Sequence, residues 1–221
     1  AIDVLGENFA FTTTLAYNGK ISNGVLKGNL FIKGTGDPDF SIDDLIPMIL
    51  QLKKKGVHTV AGKLIYDDSF YVTLDKIDKG MEPQALYNTS LSALSIDFNS
   101  IYLFYKSKYT GKKNNKPIYS HTFFNSPEID FVKYFEAKHK IRENVKFDFK
   151  MNNGIETWYL SKDVKKSGKK RVPVKQPSRF FATLFKKLCS LNGIKIVSIQ
   201  KGTLPQVSKT IYTHKSEPLH K

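Results

Sequence analysis

Residues 24–40, GVLKGNLFIKGTGDPDF, contain the pattern that most restricts how this chain can fold. Apolar positions between glycines predict a half-buried β-strand, with its apolar side chains at Val25, Leu26, Leu30 and Ile32. Residues 34–38, which follow, predict a tight turn, because glycine allows a positive φ and proline fixes φ at the exit. The chain is therefore expected to bend sharply before the next element.

Strands are predicted on both sides of this turn. Residues 9–17 are rich in aromatic and β-branched side chains, and Asn18 with Gly19 forms a turn signal after them. We expect residues 9–17 and 24–33 to pair as a hairpin. Further strands are predicted at 57–67, at the end of 91–105, and at 118–124, 144–151, 156–160, 194–199 and 203–213.

Two helices complete a predicted α+β fold. Ser41 and Asp44 have the spacing of a capping box, and the helix that they begin ends at Gly56. The second helix covers residues 177–192, where proline stands at the first position and an apolar stripe recurs with helical spacing. Helix-and-strand units thus flank a central β-rich stretch, which indicates one domain inserted into another.

Composition points to an anionic partner. The 221 residues include 35 Lys and Arg against 20 Asp and Glu, a formal charge of +15. Nucleic acid, lipid headgroups and acidic wall polymers all fit such a charge. Arginine, the preferred reader of phosphates and bases, occurs at three positions only, which disfavours specific nucleic-acid recognition. The basic stretch at residues 106–116 is expected to be a hairpin tip or a loop, and the one at residues 162–175 a loop.

Cysteine, histidine and hydropathy patterns exclude several classes of protein. Cys189 is the single cysteine, so an internal disulfide cannot form. The histidines lack the spacing of a metal site, and Asp37, Asp39, Asp43 and Asp44 fit turn and helix-start roles better than a calcium loop. We therefore expect neither a metal nor a cofactor. No apolar run is long enough to span a bilayer, and Trp158 is expected in the core.

The order of several stretches resembles the penicillin-binding D-Ala-D-Ala carboxypeptidases of low-molecular-weight class C. The resemblance begins with LGENFAFTTTL at residues 5–15 and the strand and turn of residues 24–40. It continues, in the same order, at residues 52–71, 87–100, 176–196 and 214–219. Residues 1–100 and 172–221 are covered well, and the middle is covered weakly.

The catalytic motifs of that family are not where this chain could use them. The family needs Ser-x-x-Lys on a helix, Ser-x-Asn, and Lys-Thr-Gly. The matches to Ser-x-x-Lys at Ser167 and Ser198 fall on a predicted loop and a strand end, and Lys-Thr-Gly is absent. Ser190 begins a Ser-x-Asn in the last turn of the second helix, where such residues are common. We interpret all three as chance matches and expect no catalytic residue in this chain.

The resemblance implies a domain plan. Residues 1–18 and 206–221 would be fringes of a transpeptidase-like domain, residues 19–100 and 169–205 an α+β inserted domain, and residues 101–168 a β-rich domain nested within it. Residues 1–6 resemble the end of a helix, so we expect the chain to be a piece of a longer protein.

The resemblance also implies a function. The whole enzyme would be a periplasmic, serine-type carboxypeptidase or endopeptidase that acts on peptidoglycan stem peptides. We expect β-lactams to react only with the full-length enzyme. In related members an acidic residue in a variable loop recognises the amino end of the diaminopimelate side chain; Glu82 holds that place here, with Tyr87 as an aromatic wall.

Two other functional classes remain open. The charge and the missing motifs also fit a stand-alone, non-catalytic module that binds or assembles cell-wall polymers. A third hypothesis is nucleic-acid binding, with Tyr102, Phe104, Tyr105 and Tyr109 interleaved with lysines, although a half-buried strand explains this pattern better. We therefore expect no nucleic-acid partner.

Overall fold

A computed structural model describes residues 6–82, 85–137, 147–162 and 164–218, and these divide into two compact units. Unit 1 consists of Ala1–Asp75, Ser90–Asn99 and Gln176–Lys221, and unit 2 of Lys76–Thr89 and Ser100–Lys175. The predicted helix end at residues 1–6 lies almost wholly outside the described residues.

Unit 1 contains two sheets and two helices within its described residues. Its strands are β1 (Thr12–Tyr17), β2 (Lys20–Ser22), β3 (Val25–Lys27), β4 (Leu30–Gly34), β5 (Thr59–Val60), β6 (Leu64–Asp67), β13 (Lys195–Ile196), β14 (Ile199–Lys201) and β15 (Lys209–Lys215), and its helices are α1 (Leu45–Lys54) and α2 (Pro177–Leu191). The five-stranded sheet has the order β14-β6-β4-β1-β15, and the four-stranded sheet has the order β13-β5-β3-β2. Unit 1 contains both parallel and antiparallel strand pairs together with helices, which confirms the predicted α+β class.

Unit 2 is built from strands alone in its described part, apart from turns. Its strands are β7 (Ser100–Lys113), β8 (Lys116–Ser126), β9 (Val132–Glu136), β10 (Phe147–Asn152), β11 (Ile155–Leu160) and β12 (Gly168–Pro173). They form two three-stranded sheets, in the orders β12-β7-β8 and β10-β11-β9. Trp158 is 1% exposed and packs against Phe149, which confirms its predicted core position.

The strand predicted over residues 24–33 is two strands that belong to different sheets. β3 pairs with β2 and β5, whereas β4 pairs with β1 and β6. The break occurs at Gly28, where a Cβ would lie 2.1 Å from the carbonyl oxygen of Asn18. Asn18 also accepts a 2.7 Å hydrogen bond from the amide of Asn29. The predicted hairpin is therefore correct for β1 and β4, but a smaller hairpin lies between them.

The basic stretch at residues 106–116 ends in the hairpin turn that was one of its two predicted forms, although most of the stretch belongs to the strand β7. β7 runs on to Lys113 and returns as β8 through Asn114 and Asn115, both with positive φ, as a two-residue hairpin turn requires. In the stretch at residues 162–175, where a loop was predicted, residues 168–173 form the strand β12. Lysine and aromatic or hydroxyl residues alternate along β7, so its period of two outweighs its polarity.

Helix α2 follows its prediction closely. Pro177 stands at its first turn, where a missing amide donor is harmless, and Gly193 follows its end with φ +81°. The apolar stripe buries Phe181, Leu184 and Phe185, whereas Leu191, at the margin of the stripe and in the last turn, is 75% exposed. Cys189, expected at the edge of the core, is fully buried, and loss of hydration raises the pKa of its thiol to about 12.

Two adjacent carboxylates at the end of β6, Asp67 and Asp68, bind residues from distant parts of unit 1. Asp67, with a fully buried side chain, accepts hydrogen bonds from the Ser69 hydroxyl at 2.6 Å and the Leu204 amide at 2.7 Å, and it lies 3.4 Å from the ammonium of Lys33. Burial alone would raise its pKa, but these partners outweigh burial and lower the pKa below its usual value.

Asp68 makes the second set of links. Its Oδ2 accepts a 2.8 Å hydrogen bond from Ser178 at the start of α2, and its Oδ1 lies 2.9 Å from the ammonium of Lys201 on β14. Ser178 is in turn hydrogen-bonded to the buried hydroxyl of Ser92. The two acids therefore join all three chain segments that make up unit 1.

We predict that Asp67→Asn lowers the free energy of unfolding of unit 1 by about 1–3 kcal/mol at pH 7, since an amide would point a donor at the Leu204 amide. Because its pKa is lower in the folded state, the Asp67 carboxylate stabilises the unit above pH of about 4, and this contribution is lost as the pH falls further. The stability of unit 1 is measured by hydrogen exchange of the amides of β4 and β6. Fluorescence of Trp158 is unsuitable, because this residue lies in unit 2. Asp75→Asn, an exposed change of the same charge, is the control; equal losses in both variants would contradict the prediction.

Candidate functional site

A cavity in unit 1 lies beside the turn at residues 34–38. It has a volume of about 390 Å³ and is lined by residues 37–39, by residues 214–218 after and within β15, and by Phe11 and Asp44. Four of the lining residues are acidic: Asp37, Asp39, Asp44 and Glu217. The cavity is thus predominantly anionic, with His214 and Lys215 as its basic residues.

Asp37 is the most buried carboxylate of this cavity, at 4% exposure. Its Oδ1 accepts a 3.1 Å hydrogen bond from the Asp39 amide, and its Oδ2 lies 3.4 Å from Nε2 of His214. Burial raises the pKa of Asp37, and the Asp39 amide and His214 offset that effect only in part. An acid held in this way is costly to ionise, because burial removes the water that would stabilise its charge.

His214 connects β15 to the turn and to the start of α1. Its Nδ1 lies 3.8 Å from Oδ1 of Asp44, and its ring meets the ring of Phe40 edge-on at 4.9 Å between centroids. Asp44 in turn accepts 2.8 Å hydrogen bonds from the amide and the hydroxyl of Ser41. The predicted pair is therefore in contact, but α1 begins at Leu45 with Asp44 as its N-cap, so Ser41 is not the N-cap that the sequence predicted. The sequence interpretation assigned these aspartates to a turn and a helix start, and it missed the histidine that joins them.

The cavity does not contain the parts of a hydrolytic site. Its hydroxyl group, Ser216, accepts a 2.9 Å hydrogen bond from the Phe11 amide and donates one to the Glu217 carbonyl. A nucleophile needs a base within hydrogen-bonding distance, and here both contacts are to the backbone. Within the described ranges, no group of three or more His, Cys, Asp or Glu side chains has a geometry suited to a metal ion.

The chance matches to Ser-x-x-Lys have lysines that are engaged elsewhere. Lys170, three residues after Ser167, lies over the ring of Phe147 at 5.4 Å. Lys201, three residues after Ser198, is bound to Asp68. Ser190 lies in the last turn of α2 and is exposed. None of these serines has the lysine partner that the catalytic motif requires.

Glu82 and Tyr87 lie in the surface loop of unit 2. Both are exposed, Tyr87 by 82%. Asn88, fully buried, holds this loop: its amide donates to the carbonyls of Asp78 at 2.9 Å and Met81 at 3.2 Å, and its Oδ1 accepts from the Asp78 amide. Pro83 and Gln84 lie outside the described residues. The substrate-binding role of Glu82 and Tyr87 stays a prediction.

Neither helix described here combines the length and the apolar character that crossing a membrane requires.

We predict that His214→Ala lowers the free energy of unfolding by about 1–2 kcal/mol, because it removes the ring that packs on Phe40 and the basic group beside two carboxylates. Thermal unfolding followed by far-UV circular dichroism measures the change. His58→Ala, at an exposed position of the same unit, is the control and should be near neutral. A His214 variant as stable as the control would show that the contacts contribute nothing.

Comparison with known proteins agrees with the resemblance seen in the sequence. Over 103 residues the chain is 36% identical to the D-alanyl-D-alanine carboxypeptidase DacB of Haemophilus influenzae. The matched region covers 44% of this chain and 21% of that protein. It is 32% identical over 99 residues to the D-alanyl-D-alanine carboxypeptidase of Actinomadura sp. strain R39, with 43% of this chain and 18% of that protein covered.

Solved structures share the fold. The crystal structure of penicillin binding protein 4 (dacB) from Haemophilus influenzae matches 99% of this chain and 49% of its own length, with a TM-score of 0.73 and 24% identity. The same protein complexed with a β-lactam matches with a TM-score of 0.68 and 23% identity, over 99% of this chain and 46% of its own. The chain thus spans about half the length of these structures.

All of residues 1–221 match the sequence profile of one family. Together with the two carboxypeptidase relatives, this match confirms the predicted resemblance, and the chain belongs to the D-Ala-D-Ala carboxypeptidase 3 (S13) family.

Proposed function

We propose that this chain is the inserted-domain part of a serine-type D-Ala-D-Ala carboxypeptidase or endopeptidase that acts on peptidoglycan in the periplasm. The family match along the whole chain is the observation that carries the proposal. The domain boundaries remain those expected from the sequence: fringes at 1–18 and 206–221, an α+β domain at 19–100 and 169–205, and a nested domain at 101–168.

In the proposed reaction, the serine hydroxyl of the complete enzyme attacks the carbonyl carbon of the penultimate D-Ala. The bond to the terminal D-Ala breaks, the proton passes to the leaving amine, and an acyl-enzyme forms. Water then hydrolyses the ester and restores the serine. A β-lactam would acylate the same serine. We assign that serine to sequence outside residues 1–221, because the lysines near Ser167 and Ser198 bind other groups.

We predict that the 221-residue chain is not labelled by a fluorescent penicillin, whereas the gene product that includes the flanking coding sequence is labelled. Gel fluorescence after incubation and denaturation measures both. Labelling of the short chain would contradict the proposal, and Ser167→Ala and Ser198→Ala would then identify the reacting hydroxyl.

Glu82 is proposed to pair with the ammonium group of the diaminopimelate side chain, and Tyr87 to form the wall beside it. Both are exposed in a loop that the buried side chain of Asn88 anchors, so they are accessible to a peptide from solvent. A carboxylate that binds an ammonium through charge-assisted hydrogen bonds contributes about 1.5–3 kcal/mol.

We predict that Glu82→Gln in the complete enzyme raises KM about tenfold or more for stem peptides with a free amino end, and leaves kcat nearly unchanged. Peptides in which that amine is acetylated should be processed equally by both enzymes. Asp130→Asn, an exposed acid of the same unit, is the matched control. An equal KM change for free and acetylated peptides would refute the assignment.

A second candidate function, a stand-alone module that binds or assembles wall polymers, is favoured by the charge distribution. Unit 2 contains 20 Lys and Arg against nine Asp and Glu, so it holds most of the net charge of +15. The penicillin experiment separates the two functions: a longer gene product that stays unlabelled supports the module.

A further inference from the structure

One face of the β12-β7-β8 sheet combines exposed aromatic rings with cationic side chains. Residues that lie directly opposite one another in this sheet point to the same side. The face is formed by Tyr102, Phe104, Lys106 and Lys108 on β7, Phe124 on β8, and Lys169 and Arg171 on β12. We call these seven residues the aromatic–cationic face.

The aromatic residues of this face are in contact with each other and with solvent. The rings of Phe104 and Phe124 are stacked, with centroids 4.8 Å apart and planes within 2°, and the Tyr102 ring is 6.2 Å from that of Phe104. Tyr102 is 43% exposed and Phe124 is 50% exposed. Three neighbouring aromatic side chains on the solvent side of a sheet form the kind of apolar patch that marks a binding surface.

The charge of this face is entirely positive. Strands β7, β8 and β12 contain eight Lys and Arg residues and no Asp or Glu. Lys106 and Lys108 are exposed, and the ammonium of Lys169 lies 5.5 Å from the centroid of the Tyr102 ring. The exposed side chains of Lys106, Lys108 and Lys169 are accessible to an external anion.

Hydroxyl groups complete the surface. Ser126, Thr122 and Ser120 of β8 lie opposite Tyr102, Lys106 and Lys108, and all three are exposed. The surface therefore offers aromatic rings, ammonium groups and hydroxyls in adjacent rows. A ligand that matches all three has apolar C–H faces, carboxylates and hydroxyl groups.

We propose that the aromatic–cationic face binds the glycan strand of peptidoglycan. The C–H groups of a sugar ring pack against the electron-rich faces of aromatic rings. The lactyl carboxylates of the strand, which are free wherever the stem peptide has been removed, pair with the lysines. The choice of this glycan over other acidic polysaccharides rests on the proposed function in the cell wall. The face would hold the polymer on unit 2.

A nucleic acid fits the same face less well. Three of the four cations of this face are lysines, and Arg171, the one arginine, already donates from Nε to the Ser100 hydroxyl at 2.7 Å. Recognition of phosphates and bases by two parallel hydrogen bonds depends on the planar guanidinium group of arginine. The lysines act as point charges, which suits carboxylates spaced along a flexible polymer.

The test is cosedimentation of the 221-residue chain with purified peptidoglycan sacculi at low and high salt. Phe124→Ser should weaken retention about five- to tenfold at both salt concentrations, because the lost contact is not ionic. Phe135→Ser is the matched control, since Phe135 is 53% exposed on β9 of the same unit. Circular dichroism verifies that each variant is folded.

Lys106→Gln with Lys108→Gln should weaken retention severalfold at low salt and less at high salt, since salt screens exposed charges. Lys53→Gln with Lys54→Gln, in the last turn of α1 in unit 1, removes the same charge and should leave retention unchanged. Equal loss in both lysine pairs, or no loss in Phe124→Ser, would overturn the proposal, because retention would then follow total charge alone.

Competition identifies the ligand. Soluble glycan strands stripped of their stem peptides should displace the chain from sacculi, and polyglutamate or a single-stranded DNA 20-mer at equal charge should displace it at least tenfold less well. Stronger displacement by the DNA would assign the face to nucleic acid and overturn the proposal. Penicillin labelling of the longer gene product is independent of this assay, so failure of glycan binding leaves the proposed hydrolase intact and the reverse also holds.

Discussion

Two neighbouring carboxylates, Asp67 and Asp68, organise unit 1. Three separate chain segments form this unit, and the two acids bind Lys33 in the first of them and Ser178 and Leu204 in the third. Ser92 joins through Ser178. Buried acids are stable only when their oxygens are satisfied, so these links are demanding in geometry. The position of α2 against the five-stranded sheet follows from them, and so does the path of the chain after β14.

The elements of this fold that depend on local pattern were predictable from the sequence. Helix α2 has proline at its start, glycine after its end and a stripe of buried phenylalanines between them, and all three signals agree. The strands over residues 24–33 and 57–67 were predicted as single elements, yet each divides between two sheets. The division at Gly28 depends on the approach of Asn18, a contact that appears only when the sheets pair. Local periodicity therefore identified the strand residues but not the sheet that each joins.

The cavity shows the same limit at the level of side chains. Asp37 and Asp44 were correctly placed in a turn and at a helix start, but His214, which lies between them, is 170 residues beyond Asp44. No spacing rule connects residues so far apart, and only the pairing of β15 with β1 brings them together. The lysine-rich segments were predicted less well, because their polar composition suggested a hairpin tip or loop at residues 106–116 and a loop at 162–175. In the structure, the backbone groups of β7, β8 and β12 form hydrogen bonds with one another, and this pairing does not depend on the polarity of the side chains.

The pairing of β1 with β15 also sets the order in which the molecule can be completed. Thr12 pairs with Lys215, so the five-stranded sheet lacks β15 until the chain has been synthesised as far as residue 215. All strands of unit 2 are available by residue 173, some forty residues earlier. During that interval β1 has one open edge, which is a template for pairing with another chain. Until residues 209–215 return to β1, this edge can therefore pair with a strand of another molecule.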